Sequence, residues 1–140
     1  MESIFQLIYM STAVEPMQED SLQKILEKAY EKNERLEITG ALVYNSGHFL
    51  QLLEGDQDKV LKLYLQIAGD RRHENVVTLF QGTTHKRLFG HWTMAYKKTT
   101  EFDLKMREQI EQTIFRISNS QVLENPQQVI RVMRDLQFHF

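Results

Sequence analysis

Three polar side chains in this 140-residue chain stand on or beside elements with a strong apolar pattern. Tyr9 lies in Ile4-Phe5-Gln6-Leu7-Ile8-Tyr9-Met10-Ser11, Gln51 in His48-Phe49-Leu50-Gln51-Leu52-Leu53-Glu54-Gly55, and Asn33 follows an amphipathic run. A phenol and two amides do hydrogen-bonding chemistry rather than hydrolysis, since an amide donates and accepts at once. A buried amide needs partners or costs free energy. Each residue also has a plain structural reading. Tyr9 suits a core tyrosine bonded to a carbonyl, Asn33 suits a helix C-terminal cap, and Gln51 suits an edge position or a bond to a neighbouring backbone.

Other chemistries find little support. No Gly-rich dinucleotide or phosphate loop occurs, no Ser-His-Asp arrangement follows from spacing, and no pair among the five His has metal-ligand spacing. The absence of Cys excludes disulfides, thiolate metal sites, a catalytic thiol and any cysteinyl adduct to a cofactor. A net charge of −2 argues against a nucleic-acid surface. No apolar run approaches the ~20 residues of a membrane span, and no signal peptide opens the chain. The expectation is a cytoplasmic protein.

The elements that must position the three residues are legible from periodicity. Ile4 to Ser11 alternates as a strand covered on both faces. Glu19-Asp20-Ser21 offers acidic and capping groups, and Leu22, Ile25, Leu26, Ala29 and Tyr30 then make a helix ending near Lys32-Asn33. Ala41 to Gly55 reads as a β-hairpin turning at Asn45-Ser46-Gly47. In its second strand Phe49, Gln51 and Leu53 share one face. Asp56 caps a second helix striped by Val60, Leu63, Tyr64 and Ile67 and stopped by Gly69. A charged turn, Asp70-Arg71-Arg72-His73, precedes a strand over Val76–Phe80. After the polar link Gln81–Gly90, a fifth strand spans His91–Tyr96, with Trp92, Met94 and Tyr96 on one face. Helical spacing then takes over: Phe102, Met106, Ile110 and Ile114, with Phe115 and Ile117 near the end. Asn125-Pro126 opens a last helix carrying Val129, Ile130, Met133 and Leu136.

The order β-α-β-β-α-β-β followed by α-α places the chain in the α+β class, as a ferredoxin-like βαββαββ sheet. Two helices cover one face. The two C-terminal helices cover the other, with Ile4, Ile8, Met10, Leu50 and Leu52 as candidates for that second interface. Right-handed crossovers set the first and third strands side by side and, on this reading, parallel in the sheet centre. Tyr9 and Gln51 are then neighbours, and with Asn33 they converge between helices and sheet. Trp92 and Met94 read as core rather than cofactor wall, and Arg71, Arg72 and His73 as a solvated turn.

At this point the chain resembles the BLUF domain family of blue-light sensors. The matching stretches are Leu7-Ile8-Tyr9-Met10-Ser11, Asn33 with Ile38-Thr39-Gly40, Phe49-Leu50-Gln51 with Leu53-Glu54-Gly55, Asp70-Arg71-Arg72-His73, and Phe89-Gly90-His91-Trp92-Thr93-Met94. The resemblance implies a flavin, FAD in the first place with FMN or riboflavin as alternatives, between the two early helices and the sheet. It implies Tyr9 as electron and proton donor, Gln51 as the switching amide, and Asn33 at the flavin ring edge. Arg72 and His73 would lie toward the ribityl-phosphate end, Lys32 and Asp70 would also contact the cofactor, and Ile25, Ala29, Phe49 and Ile67 would line the ring or chain. Trp92 and Met94 would couple the switch to output. A flavin ring has apolar faces and amide-like edges, which such a layer suits.

Two positions depart from the family pattern. Lys32 stands where many members carry a second Asn or His, and Trp92-Thr93-Met94 replaces Trp-Ser-Met. The expected organisation is a flavin-binding unit over residues 1–98 and a helical extension over 99–140, without an effector domain and without enzymatic activity. The expected partners are the flavin, a downstream protein held non-covalently, and further copies of the chain in a homo-oligomer. Neither nucleic acid nor membrane is expected. The alternatives are a flavin-free ferredoxin-like interaction module and a small flavin enzyme.

Overall fold

The computed structural model describes residues 3–118 and 127–140. Strand β1 (Ile4–Ala13) leads into helix α1 (Glu19–Arg35), the hairpin β2 (Thr39–Asn45) and β3 (His48–Gly55), helix α2 (Gln57–Ala68), and strands β4 (His73–Thr84) and β5 (Ala95–Lys98). A short 3-10 turn, Thr99–Glu101, precedes α3 (Leu104–Ser118) and α4 (Gln127–Leu136). The sheet order is β4-β1-β3-β2-β5, so the class is α+β with a ferredoxin-like core.

Local chemistry accounts for the element ends. Glu19 and Asp20 lie in the first turn of α1, and Lys32 and Arg35 in its last, each sign matching the helix dipole. The acidic run therefore acts through charge, since Gln18 is the cap residue and its side chain bonds nothing there. Asp56 does cap α2, accepting from the Lys59 amide at 3.2 Å. In the hairpin Ser46 (φ 45°) and Gly47 (φ 90°) take the left-handed conformation, the signature of a type I′ turn. Asn45 ends β2 instead of entering that conformation.

The two central strands are adjacent but antiparallel, not parallel as expected. The α1 crossover returns β2 in the direction of β1 one place away, and the tight hairpin then drops β3 into the gap in the opposite sense. Among the described residues the one parallel pairing joins β2 to β5. Strand β5 begins only at Ala95, so 91–94 is turn and bend instead of strand. Strand β4 runs on through Gln81–Thr84, which the polar composition disguised as a link.

Both faces of the sheet are covered. On one, Leu7, Leu53, Val60 and Leu63 form a buried cluster beside a second one of Leu22, Leu26, Leu42 and Phe49. On the other, Ile8, Met10, Ala41, Val43, Leu50 and Leu52 meet Met106, Ile110, Ile114, Val129, Ile130, Met133 and Leu136. The C-terminal stripes thus bury against the sheet as expected, because an amphipathic helix must cover its apolar side. Asn125 and Pro126 lie outside the described residues.

Gly40 makes the centre of the sheet possible. A Cβ there would stand 1.9 Å from the Leu52 carbonyl oxygen on β3. The same methyl at Gly69 meets nothing closer than 3.5 Å, in a helical backbone conformation. Gly40→Ala should therefore cost at least about 3 kcal/mol of unfolding free energy. Gly69→Ala should be neutral or stabilising by up to about 1 kcal/mol. Paired urea denaturation curves check both.

Candidate functional site

Strand register sets the central pair of the site. Tyr9 on β1 and Gln51 on β3 are direct cross-strand partners, and their side chains point to the face covered by α1 and α2. Tyr9 is 3 % exposed and Gln51 5 % exposed. The Tyr9 hydroxyl donates to Gln51 Oε1. Gln51 Nε2 has a poorer partner, the Met94 thioether at 4.0 Å. The expected buried amide is thus real, and half of its bonding capacity is weakly used.

Asn33 belongs to the last turns of α1 and is not its cap, a role that falls to Leu36. Its side chain is 2 % exposed and its amide makes one long hydrogen bond, from Nδ2 to the Thr93 carbonyl at 3.5 Å. Between these polar groups lies a cavity of about 290 Å³. Ile25, Ala29, Phe49 and Ile67 supply apolar wall, and Tyr9, Asn33 and Gln51 supply the buried polar groups. Lys32, Asp70, Arg72 and His73 line it as well. Every residue expected at the binding site therefore borders one cavity.

The charged turn is ordered by its own bonds. Asp70 accepts from the Arg72 backbone amide at 2.9 Å and from Arg72 Nη2 at 2.5 Å. The Arg72 hydrogen bond holds the Asp70 carboxyl down at about 2. His73 donates from Nε2 to the Ile67 carbonyl, and its Nδ1 shares a hydrogen bond of 2.8 Å with the Ser11 hydroxyl. This histidine ties α2 to β1 and β4 as well as bordering the cavity. Lys32 Nζ donates to Gln66 Oε1, joining α1 to α2 across the cavity.

Sequence reasoning missed Met17, Lys28, Leu42, Leu63 and Gln66 as lining residues. Lys28 and Gln66 each precede a lining apolar residue on their helices, which was the available signal. Met17 sits in a loop without periodicity and gave none. Tyr64 was also missed as a neighbour of the pair: its ring lies 5.4 Å from that of Tyr9, and its hydroxyl bonds Thr78 at 2.7 Å.

Trp92 and Met94 part company. Met94 packs with the cluster of Leu42 and Phe49 and reaches Gln51. Trp92 packs against the opposite cluster, edge-on to Phe89 with ring centres 6.0 Å apart. The shared face expected for them depended on an extended strand, and the bend at 91–94 removes it. Trp92 is accordingly absent from the cavity lining.

The fit to a flavin rests on the donor set. A flat ring with amide-like edges needs apolar walls and amide partners with spare capacity. Asn33 and Gln51 have that capacity and face the cavity. Among the described residues no His, Asp or Glu cluster could hold a metal, and no helix is long and apolar enough to cross a membrane.

Burial pushes the Tyr9 phenol well above its ordinary value of 10.0, and the nearby Tyr64 and Asp70 add to the effect. The folded protein thus holds this proton more tightly than the unfolded chain does. The associated stability is complete below pH ~10 and is lost as pH climbs beyond it. Thermal melts between pH ~8 and ~11 should show the wild type losing Tm more steeply above pH ~10 than Tyr9→Phe. Parallel slopes would contradict a buried, proton-holding phenol.

A family model described as BLUF, sensors of blue-light using FAD, matches residues 4–95. Photoactivated adenylate cyclase subunit alpha of Euglena gracilis is 41 % identical over 87 residues, which is 62 % of this chain and 8 % of that protein. The chain thus spans less than a tenth of that relative's length. The solved structure of BlsA in its photo-activated state shares 26 % identity and a TM-score of 0.80, covering 96 % of this chain and 94 % of that one. The dark-state structure of the BLUF protein BlrB has the same fold, with a TM-score of 0.79 at 23 % identity, covering 100 % of this chain and 99 % of that one.

Proposed function

The chain belongs to the BLUF family, sensors of blue light using FAD, and from that premise we propose that light is read out through the Tyr9–Gln51 pair. The observation that carries this reading is the hydrogen bond from the Tyr9 hydroxyl to Gln51 Oε1 at the cavity wall, with Gln51 Nε2 left on a 4.0 Å thioether contact. Bound FAD supplies a light-activated oxidant and polar ring edges. Tyr9 gives up an electron and moves its hydroxyl proton toward Gln51 Oε1. Burial disfavours the phenolate, so the proton does not leave Tyr9 ahead of the electron. The Gln51 amide then rotates, tautomerises, or does both, and the proton and electron return to Tyr9. Gln51 ends with a changed hydrogen bond to the chromophore, and absorption moves to the red.

Asn33 holds the ring edge in this reading, and Ile25, Ala29, Phe49 and Ile67 hold its faces and the chain beyond it. Lys32, Asp70, Arg72 and His73 line the same cavity and would flank the ribityl-phosphate end. FMN or riboflavin would satisfy the same ring contacts as FAD would.

Residues 1–98 act as the flavin-binding unit and 99–140 as the output extension. The support is the buried cluster that α3 and α4 share with β1, β2 and β3, on the reverse of the strands that carry Tyr9 and Gln51. The signal reaches a cytoplasmic protein partner, or further copies of this chain, by non-covalent assembly. A change of 1–3 kcal/mol in the balance of two states alters partner affinity roughly 5–150-fold.

Absorption spectra before and after blue light test the switch. Wild-type protein should be yellow and shift reversibly to the red. Gln51→Ala and Tyr9→Phe should each keep flavin and lose that shift, the first for want of an amide to rearrange, the second for want of a ready donor. A normal photocycle in either variant contradicts the mechanism. Hydrogen exchange over 127–140 and sedimentation, each in dark and light, test the output: unchanged exchange and assembly alongside a full spectral shift would exclude α4 as its path.

A further inference from the structure

The segment 87–94 carries Met94 to Gln51, and it is fastened very unevenly. It starts among the cluster behind the sheet, where Phe89 is fully buried, and ends at Met94 on the cavity side. Near its start stands Glu54, a carboxyl group with 0 % exposure that has no part in the cavity. Glu54 Oε1 accepts from the Phe89 amide at 2.6 Å and from the Thr39 hydroxyl at 3.1 Å. Glu54 Oε2 accepts from the Leu88 amide at 2.9 Å and from Gln6 Nε2 at 3.1 Å. Arg87 adds an outer tie, from Nη1 to the Thr39 hydroxyl at 3.0 Å and to the Glu54 carbonyl at 3.1 Å.

Toward Met94 the attachments lengthen. The Gly40 amide reaches the Trp92 carbonyl at 3.4 Å, Asn33 Nδ2 reaches the Thr93 carbonyl at 3.5 Å, and Gln51 Nε2 reaches the Met94 sulfur at 4.0 Å. Short hydrogen bonds to a carboxylate are about twice as strong as neutral ones, and bonds near 3.5 Å are weak. The segment is thus clamped at Leu88–Phe89, to which the Trp92 amide is tied through the Phe89 carbonyl at 2.9 Å, and loose at 93–94.

We propose that Glu54 is a positioning residue for the switch, its carboxylate fixing the Leu88–Phe89 end of the segment to β3 and thereby setting how Met94 meets Gln51. This rests on the light-sensing reading above. Glu54 lies three residues beyond Gln51 on the same strand, so anchor and switch share one rigid support. The Gln6 and Thr39 side chains, on the register partners of Glu54 in β1 and β2, hold the carboxyl group from either side. Met94 is then presented to Gln51 from a fixed base through a compliant end.

Glu54→Gln tests the anchor with little change of shape. Each carboxyl oxygen accepts one backbone amide, so either orientation of the glutamine turns an NH2 group against a backbone N–H. Flavin should still bind and the red shift should still form. Dark recovery should be at least ~10-fold faster than in wild type, a barrier change of about 1.4 kcal/mol. Hydrogen exchange at Leu88, Phe89 and the amides up to Met94 should quicken in the dark by a similar factor. Val129→Ala, a cavity on α4 in the back cluster that leaves the Glu54 hydrogen bonds untouched, serves as a comparison at matched loss of Tm. If Glu54→Gln matches wild type, or matches Val129→Ala in both recovery and exchange, the positioning role is overturned. Should Glu54→Gln not fold, Arg87→Ala removes the outer tie from the surface, and wild-type recovery and exchange in that variant overturn the proposal equally. A wild-type protein without any red shift refutes the light-sensing reading instead, and dark exchange at 88–94 still decides whether Glu54 is the anchor.

Discussion

An amide on a central strand is the constraint from which the rest of the site follows. Gln51 occupies a position where both flanking same-face residues, Phe49 and Leu53, are buried and apolar. Its carbonyl oxygen is satisfied by Tyr9 across the strand pair, and among the described residues its NH2 group meets only a sulfur. Leaving a buried donor so weakly paired costs on the order of 1–3 kcal/mol unless a ligand completes it. The covering helices stand far enough from the strands to leave that ligand room, with Asn33 contributing a second amide of spare capacity. Cavity, amides and phenol form one arrangement because each makes sense of the others.

Much of this was legible in the sequence, and the reason is period. Strands buried on both faces read as nearly continuous apolar runs, and a polar residue inside such a run stands out, as Tyr9 and Gln51 do. The helices α1 and α2 announce themselves through i, i+3, i+4 stripes whose edges carry the cavity residues Ile25, Ala29 and Ile67. What failed to show was direction and bend. The antiparallel pairing of β1 with β3 follows from counting reversals through the crossover and hairpin, and no side chain displays it. Residues 91–94 alternate like a strand, yet hydrogen bonds from Trp92 to Phe89 and from Gly40 to Trp92 turn them into a bend. Trp92 and Met94 consequently face opposite clusters. Glu54 was hidden for a related reason: its partners, the Leu88 and Phe89 amides, are backbone groups 34 and 35 residues away. No sequence pattern signals a backbone donor.

The sheet is also the partition between two apolar layers with different duties. The cavity-side layer is broken by polar groups and empty volume, and the layer behind it is filled by aliphatic side chains of α3 and α4. Packed cores transmit displacement poorly by continuous flexing and well by discrete repacking. On the proposed light-sensing reading, a rearrangement at Gln51 would therefore pass either through the strands themselves or around them. Segment 87–94 offers the second course, since it begins in one layer and ends in the other.

That geometry explains why a strong anchor and a weak contact are useful together. If every attachment of the segment were as short as the 2.6 Å bond at Phe89, Met94 could not yield when the amide beside it changed. If every attachment were as loose as the 4.0 Å contact at Met94, its motion would dissipate in the loop without reaching Phe89. Phe89 lies against Trp92 and also against Phe140, whose ring is 5.6 Å away and itself packs on Phe102 beside the start of α3. A clamp at Leu88–Phe89 thus holds the aromatic group on which the C-terminal residues rest. Strain introduced at Met94 has a short, stiff base to push against, and that base lies within the core that α3 and α4 share with the sheet.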